Sequence, residues 1–225
     1  MNYVFFCLEI LGIIAFSISG ALVAIRRKFD IFGVVMVGLT TAIGGGIIRD
    51  VISGRTPPLI FSNAYLVFIS VVTSLLTFLL AYVERSKFLA IQSKIEQVNN
   101  YFDAIGLSVF TVMGVETVFT YGYADNVLLS ISMGVLTGVG GGLMRDIFTS
   151  SPPYIFTKHV YALTSILGAC IFYALRIYLQ NTALSTIIGI SVVFILRVFA
   201  TVYRWRLPIA HVDEETCSNP ADKNN

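Results

Sequence analysis

Two glycine triplets, each followed by an arginine–aspartate pair, are the residues of this chain whose types and spacing suggest chemistry. The first set is Gly44, Gly45, Gly46, Arg49 and Asp50, and the second is Gly140, Gly141, Gly142, Arg145 and Asp146. Each glycine weakens an α-helix by about 0.8–1.0 kcal/mol relative to alanine, so three together permit a kink or an unwound turn. Carbonyls freed in an apolar stretch must face protein or water, and those facing water can coordinate a cation. The triplets predict broken helices that line a polar pathway.

Close helix packing is the alternative role of these glycines, because small residues let helix backbones approach one another in lipid. Gly134 and Gly138 form such a small-xxx-small pair. Three consecutive glycines occupy three faces of a helix, however, and we expect only one face to meet a neighbour. This reasoning favours the broken helix over packing alone.

Polar side chains near the triplets are candidates for the lining of the pathway. Thr40, Thr41 and Thr137 precede the triplets and are predicted to line a pore, although threonine hydroxyls also bond to their own helix backbone. The Arg-Asp pairs are expected either at the two mouths of the pathway or as interfacial anchors of helix ends. Glu116 is an ionisable residue inside an apolar stretch and is a further candidate, unless it lies near a helix end and is simply hydrated.

Long apolar stretches must position these residues. The 225 residues are 56% hydrophobic and 12% charged, with a mean hydropathy of +0.82, whereas a soluble domain is about 45–50% apolar and about 25% charged. A membrane-spanning helix needs about 20 mostly apolar residues. Seven such stretches lie near residues 3–25, 31–50, 59–83, 101–121, 127–145, 155–178 and 183–203. The sequence therefore predicts an all-α integral membrane protein with seven transmembrane helices, of which helices 2 and 5 are broken at the glycine triplets.

The motifs recur within the chain, which indicates an internal duplication. Gly12, Phe16 and Gly20 recur as Gly106, Phe110 and Gly114, and Pro57 and Pro58 recur as Pro152 and Pro153, at the same spacing of about 95 residues as the triplets. Each copy holds three spans, and an odd number inverts the second copy in the membrane. We predict a first three-helix repeat with its connecting loop at 1–100, an inverted second repeat at 101–180, a seventh helix at 181–206 and a polar cytoplasmic tail at 207–225. The working site of such proteins tends to lie near the midplane, where the copies meet.

Basic residues predict the orientation in the membrane. The side that includes the carboxyl terminus holds eleven, namely Arg26, Arg27, Lys28, Arg85, Lys87, Lys94, Arg145, Lys158, Arg204, Arg206 and Lys223. The other side holds three, namely Arg49, Arg55 and Arg176. The positive-inside rule then places the carboxyl terminus in the cytoplasm and the amino terminus outside.

No motif in the chain is typical of an enzyme. There is no Walker motif, nucleophile elbow or HExxH sequence, so transport would be passive or coupled to an ion. The histidines and the three cysteines have no metal-type spacing, and the formal charge of +2 does not call for nucleic acid. We therefore expect no catalytic residue, no metal site and no cofactor.

The doubled GGGIIRD and GGGLMRD segments, each followed by Pro-Pro and an aromatic residue, closely resemble prokaryotic members of the trimeric intracellular cation channel family over about residues 5–203. Some bacterial relatives are labelled glycine transporter. The resemblance implies a homotrimer in the cell inner membrane, with one hourglass-shaped, potassium-permeable pore in each subunit, bent at the glycine triplets and surrounded by membrane lipids. Animal members have a Lys-Glu-Val motif where this chain has Val115, Glu116 and Thr117, so a role of that lysine does not transfer.

Two functions follow from the inverted repeat and the resemblance. The first is a passive channel for monovalent cations, which suits broken helices with few fixed charges inside the spans. The second is a secondary carrier of a small neutral solute such as glycine, because inverted symmetry also suits alternating access.

Overall fold

Seven long helices and two short ones make up the described part of the chain in a computed structural model, which covers residues 3–84, 92–157, 160–179, 181–203 and 205. The long helices are α1 (Tyr3–Arg26), α2 (Ile31–Ile52), α4 (Ala64–Val83), α5 (Gln92–Thr120), α6 (Val127–Phe148), α8 (Tyr161–Tyr178) and α9 (Thr182–Val202). The short helices are α3 (Leu59–Ser62) and α7 (Tyr154–Thr157). All seven long helices are long and apolar enough to cross a membrane, which confirms the predicted all-α fold with seven spans. The predicted tail at 207–225 lies outside the described residues.

Polar caps fix where several spans begin. The side chains of Asp30, Asn126 and Asn181 accept hydrogen bonds from main-chain N–H groups in the first turns of α2, α6 and α9, at 2.7, 3.0 and 3.1 Å. Such bonds satisfy donors that have no partner within the helix. The sequence alone therefore places the starts of α2, α6 and α9 within a residue.

Three span boundaries differ from the sequence prediction. The third and sixth spans begin at Ala64 and Tyr161, not at 59 and 155, because the residues after each Pro-Pro form the separate helices α3 and α7. The fourth span begins at Gln92, not at 101, because its polar first residues continue the helix. Asn99 is buried there and accepts a hydrogen bond from the Ser19 hydroxyl at 2.8 Å, so one face of a polar segment that looks like a loop packs against the bundle.

The two halves of the chain repeat the same internal contacts. Ser17 on α1 bonds to Ser70 on α4 at 2.7 Å, and Thr111 on α5 bonds to Ser165 on α8 at 2.8 Å. Helices α1, α2 and α4 pack on one another, and α5, α6 and α8 do the same. Helix α9 lies outside this duplication and packs on α5 and α8.

The two halves meet along α1, α2, α5 and α6. Helix α2 crosses α6 at the glycine triplets, and α1 packs along α5. Phe16 and Phe110 contact each other across this interface with ring centroids 5.3 Å apart. Each ring lies where the opposite helix has a glycine, Phe16 against Gly106 and Phe110 against Gly12. The centre of the molecule is therefore an aromatic pair enclosed by small residues.

Candidate permeation pathway

The glycine triplets do not interrupt their helices. Helix α2 is α-helical from Ile31 to Ile52 and α6 from Val127 to Phe148, and both triplets lie within these limits. The predicted break is therefore wrong as an unwound turn, while a bend within the continuous helix stays a prediction. An unbroken helix keeps every backbone hydrogen bond internal, which is the cheaper arrangement in an apolar medium.

The triplets allow α2 and α6 to approach until their backbones are in contact. A side chain at Gly45 would overlap the carbonyl oxygen of Thr137, and one at Gly141 would overlap the carbonyl oxygen of Thr41. These two contacts are repeat-related, so the crossing is nearly symmetric. The packing role that the sequence had placed second is the one that this geometry favours.

The three threonines near the triplets bond to their own helices. Thr41 and Thr137 are fully buried, and each hydroxyl donates to the carbonyl four residues earlier at 2.6 Å. The half-buried Thr40 donates to Met36 O at 2.8 Å. None of the three lines either cavity described below. These bonds match the backbone-bonded alternative, and a place in the pore lining stays a prediction.

The two Arg-Asp pairs are buried and have the same local geometry. Arg49 Nε donates to Asp50 Oδ1 at 2.9 Å, and Arg145 Nε donates to Asp146 Oδ1 at 2.8 Å. The second carboxylate oxygen of each aspartate accepts from the first N–H of the following short helix, Leu59 N or Tyr154 N, at 2.8 Å. Each pair therefore joins the end of α2 or α6 to α3 or α7, and a place at a pathway mouth or in the membrane interface stays a prediction.

A cavity of about 400 Å³, here called the vestibule, opens at the end of the bundle where α1 begins and α2 ends. Its lining includes five charged residues, namely Glu9, Arg49, Arg55, Glu116 and Arg176. A second space of about 30 Å³, here called the chamber, shares Glu9, Arg49 and Leu59 with the vestibule and reaches Gly46 and Phe110. A water molecule needs about 10–15 Å³ of such volume, so the chamber has room for about two.

Glu116 lies in the vestibule and is paired. Arg176 Nε and Nη2 donate to its two carboxylate oxygens at 3.0 and 3.3 Å, and both side chains are partly exposed. The Arg176 guanidinium also lies over the Phe119 ring, 5.3 Å from its centroid. Glu116 is therefore neither a free carboxylate deep in the span nor simply hydrated, because it neutralises an arginine at the vestibule wall.

Arg55 lies at the rim of the vestibule, in the segment between α2 and α3. Its Nη1 donates to the Tyr121 hydroxyl at 3.1 Å. This hydrogen bond raises the pKa of Arg55 above its ordinary value, so the rim keeps a positive charge at any physiological pH.

The second half has a buried charge cluster, here called the closed cluster, where the first half has the chamber. Arg145 is fully buried, and its Nη1 donates to Asp103 Oδ1 at 2.6 Å and to Ser19 Oγ at 2.7 Å. Tyr154 lies under the guanidinium, 4.8 Å from its ring centroid to Arg145 Cζ. Asp103 is also fully buried. Among the described residues Arg145 has no exposed surface, whereas Arg49 is 7% exposed and lines both cavities.

Helix α9 adds a second arginine to the closed cluster. Arg197 is 2% exposed, and its Cζ lies 4.6 Å from the centroid of the buried Tyr161 ring. Arg197 Nε and Nη2, Tyr161 Oη, Arg145 Nη2 and Asp103 Oδ2 have no hydrogen-bond partner among the described residues. Buried polar atoms of this kind are usually satisfied by ordered water, so we expect the cluster to be hydrated internally.

The structure brings together only part of the predicted set. Arg49 and Glu116 line the vestibule, and Gly46, Arg49 and Asp50 line the chamber. Arg145 and Asp146 lie in the closed cluster, and the other five glycines form contacts between elements. Sequence reasoning gave no role in the site to Asp103, Tyr161, Arg176 or Arg197. The signal for Arg197 was present, since it is an ionisable residue in the middle of an apolar span.

The comparisons with known proteins agree with the fold and with the duplication. The sequence model of the family described as "Glycine transporter" matches the chain twice, at residues 6–82 and at residues 100–176. The chain is 37% identical to the UPF0126 membrane protein of Vibrio cholerae over 91% of its own length and 81% of that protein. It is 34% identical to the UPF0126 inner membrane protein YadS of Escherichia coli K12 over 92% and 96% of the two chains.

Solved structures with the same fold are cation channels. The TRIC trimeric intracellular cation channel orthologue from Rhodobacter sphaeroides superposes with a TM-score of 0.81 at 31% identity, over 91% of this chain and all of that one. A prokaryotic TRIC channel superposes with a TM-score of 0.82 at 32% identity, over 92% of this chain and all of that one.

Proposed function

Since this chain belongs to the family described as glycine transporter and shares the fold of the TRIC trimeric intracellular cation channels, we propose that it is a passive, potassium-permeable cation channel in a bacterial inner membrane. The observation that supports this function best is the match in fold to cation channels over nine-tenths of the chain. The cavities add to it, because the open space narrows from about 400 Å³ in the vestibule to about 30 Å³ in the chamber, towards the centre of the bundle.

The proposed route starts at the vestibule, passes Glu9 into the chamber and reaches Phe110 at the centre. The Phe16–Phe110 pair then blocks it, and Arg145 of the closed cluster lies in the repeat-related position beyond. Apolar constrictions close channels by excluding water. The structure thus supports a channel that is open towards the vestibule and closed at the Phe16–Phe110 pair.

One pore in each subunit of a homotrimer is the proposed assembly. Both cavities lie among the helices of one bundle, as a pore in each subunit requires. Mass photometry of the purified protein in nanodiscs checks the assembly. A single species of three chains is expected. A monomer that still conducts would support a pore within one subunit and contradict the proposed trimer.

The proposed orientation places the vestibule outside and the closed cluster on the cytoplasmic side. Of the basic residues counted, Arg26, Lys94 and Arg145 on one side and Arg49 and Arg176 on the other lie within helices. Without them the count changes from eleven against three to eight against one, so the asymmetry persists. The second repeat is then inverted relative to the first, because each has three spans.

Efflux of K⁺ from loaded liposomes tests the proposed function. Purified protein should let K⁺ leave loaded vesicles in response to an imposed potential, at a rate that does not saturate with a small solute. Counterflow of labelled glycine is the matched assay for a carrier. Glycine counterflow without K⁺ flux would overturn the proposal.

A further inference from the structure

Glu9 occupies the neck between the vestibule and the chamber. It is 8% exposed and lines both spaces. No described residue donates a hydrogen bond to its carboxylate or lies within ion-pair distance of it, although the guanidinium of Arg49 is nearby. A buried carboxylate normally pairs with a cation or with several donors. Glu9 is thus a buried carboxylate with no ionic partner among the described residues.

The net charge of the lining residues becomes negative as the route narrows. In the vestibule, Arg176 is neutralised by Glu116 and Arg49 by Asp50, which leaves Arg55 at the rim and Glu9 at the neck. Arg55 does not line the chamber. The chamber is lined by Glu9, Arg49 and Asp50, with a net charge of −1. An ion that reaches the chamber therefore meets a field that favours cations.

The residue that is repeat-related to Glu9 forms an ion pair with an arginine side chain. Asp103 follows Glu9 by 94 residues, the same offset that relates Gly12 to Gly106. Its carboxylate accepts from the guanidinium of Arg145 at 2.6 Å, and Arg145 is the counterpart of Arg49. The carboxylate at this position thus pairs with an arginine in the second half and faces an open cavity in the first.

Neighbouring side chains explain why Arg49 does not pair with the Glu9 carboxylate, whereas Arg145 pairs with Asp103. Arg145 is held towards Asp103 by the Ser19 hydroxyl, which Asn99 supports in turn. At the same offset, the counterparts of Ser19 and Asn99 are Met113 and Phe5, which line the vestibule. Neither side chain offers Arg49 a hydrogen-bond acceptor of that kind, so Arg49 pairs with Asp50 alone.

We propose that Glu9 forms a monovalent-cation site at the neck of the vestibule, where the permeating ion exchanges part of its hydration for the carboxylate. This inference rests on the proposed channel function. A single carboxylate with a net local charge of −1 suits a monovalent ion, whereas Ca²⁺ takes six to eight oxygen ligands, usually with several carboxylates. A chamber with room for about two waters lets the ion stay partly hydrated.

Single-channel recording of the full-length chain in planar bilayers tests this site. We expect E9Q to lower the K⁺/Cl⁻ permeability ratio and to raise the KCl concentration that gives half-maximal conductance by about fivefold. That fold-change corresponds to about 1 kcal/mol, the interaction of unit charges about 4 Å apart in water. E9D keeps the charge and should keep the ratio. D125N removes an exposed carboxylate from the loop before α6 at the same end of the bundle, and it should behave like the wild type.

A second variant should change the permeation of K⁺ in the opposite direction. R55Q removes the rim charge that has no ionic partner and should raise K⁺ conductance at low KCl. If E9Q and R55Q shift the permeability ratio in the same direction, the charge argument is wrong.

Thallium(I), a heavy substitute for K⁺, locates the ion independently of conductance. Crystals of the wild type soaked in thallium(I) should show anomalous density beside the Glu9 carboxylate, and E9Q crystals should not. Wild-type permeability in E9Q, or thallium density that persists in E9Q, overturns the site and leaves the channel intact. A wild-type protein that does not conduct overturns the proposed function instead, and thallium density at Glu9 would then still support a cation site.

Discussion

Alanine at Gly45 should destabilise the protein, whereas alanine at Gly46, the next residue of the same triplet, should not. A Cβ at Gly45 would overlap the carbonyl oxygen of Thr137. This oxygen belongs to the α6 backbone and cannot rotate away, so the helices would have to separate. A Cβ at Gly46 would have no neighbour closer than Arg49 Nη2 at 3.9 Å.

The magnitude follows from comparing the two variants. Both gain the same helix propensity, about 0.8–1.0 kcal/mol for glycine to alanine, so that contribution cancels in the difference. Overpacking a well-packed interior costs about 1–3 kcal/mol. In a chain of this size 1 kcal/mol shifts the unfolding midpoint by about 2–4 °C. G45A should therefore unfold about 2–12 °C below G46A.

Thermal unfolding of both variants in the same detergent, followed by size-exclusion chromatography after heating, measures this difference. G141A should behave like G45A, because its Cβ would overlap the Thr41 carbonyl oxygen. The double variant G45A/G141A should also lose conductance, since it separates the two halves at their crossing. If G45A and G46A unfold at the same temperature, the triplets do not serve close packing, and the broken helix becomes the better explanation.

Further predictions concern the charges and the orientation. D103N should lower the free energy of unfolding by about 3–5 kcal/mol, because it leaves Arg145 buried without that partner. The repeat-related E9Q should change the free energy of unfolding by less than about 1 kcal/mol. Chemical denaturation compares the two variants, and equal losses would contradict the asymmetry between the halves. In a variant without native cysteines, D125C should react with a membrane-impermeant maleimide from outside the cell and R26C only after permeabilisation. The reverse pattern would invert the proposed orientation.

The spans and the duplication could be predicted from the sequence because each depends on local or repeated patterns. Apolar stretches of about 20 residues are sufficient to identify a membrane helix. The two matches of one family model confirm the duplication that the triplets and Pro-Pro segments indicate. Short-range caps such as Asp30 also fix helix starts, since the capped N–H lies three residues away.

The role of the triplets could not be predicted because it depends on what surrounds α2 and α6. The sequence argument assumed that one face of a glycine run meets a neighbour. In the structure a Cβ added at Gly44 would lie 3.1 Å from Met144 Cγ, one at Gly45 would overlap the Thr137 carbonyl oxygen, and one at Gly46 would have no neighbour closer than 3.9 Å. A helix inside a bundle has neighbours on several sides, so consecutive glycines can each serve a different contact.

The closed cluster was also outside the reach of sequence reasoning. Arg145 pairs with Asp103 from 42 residues away and bonds to Ser19 from 126 residues away. The first pair depends on how α5 packs on α6 within the second half, and the second on how the two halves dock. The difference between the halves, with an open neck at Glu9 and a closed partner at Asp103, becomes visible only when the repeat-related residues are compared in three dimensions.

Single-channel recording of the purified chain in a planar bilayer under a K⁺ gradient tests the central claim most directly. Discrete unitary currents that reverse near the K⁺ equilibrium potential are expected from a passive cation-selective pathway within each subunit. Saturable solute flux with no resolvable unitary current would contradict it.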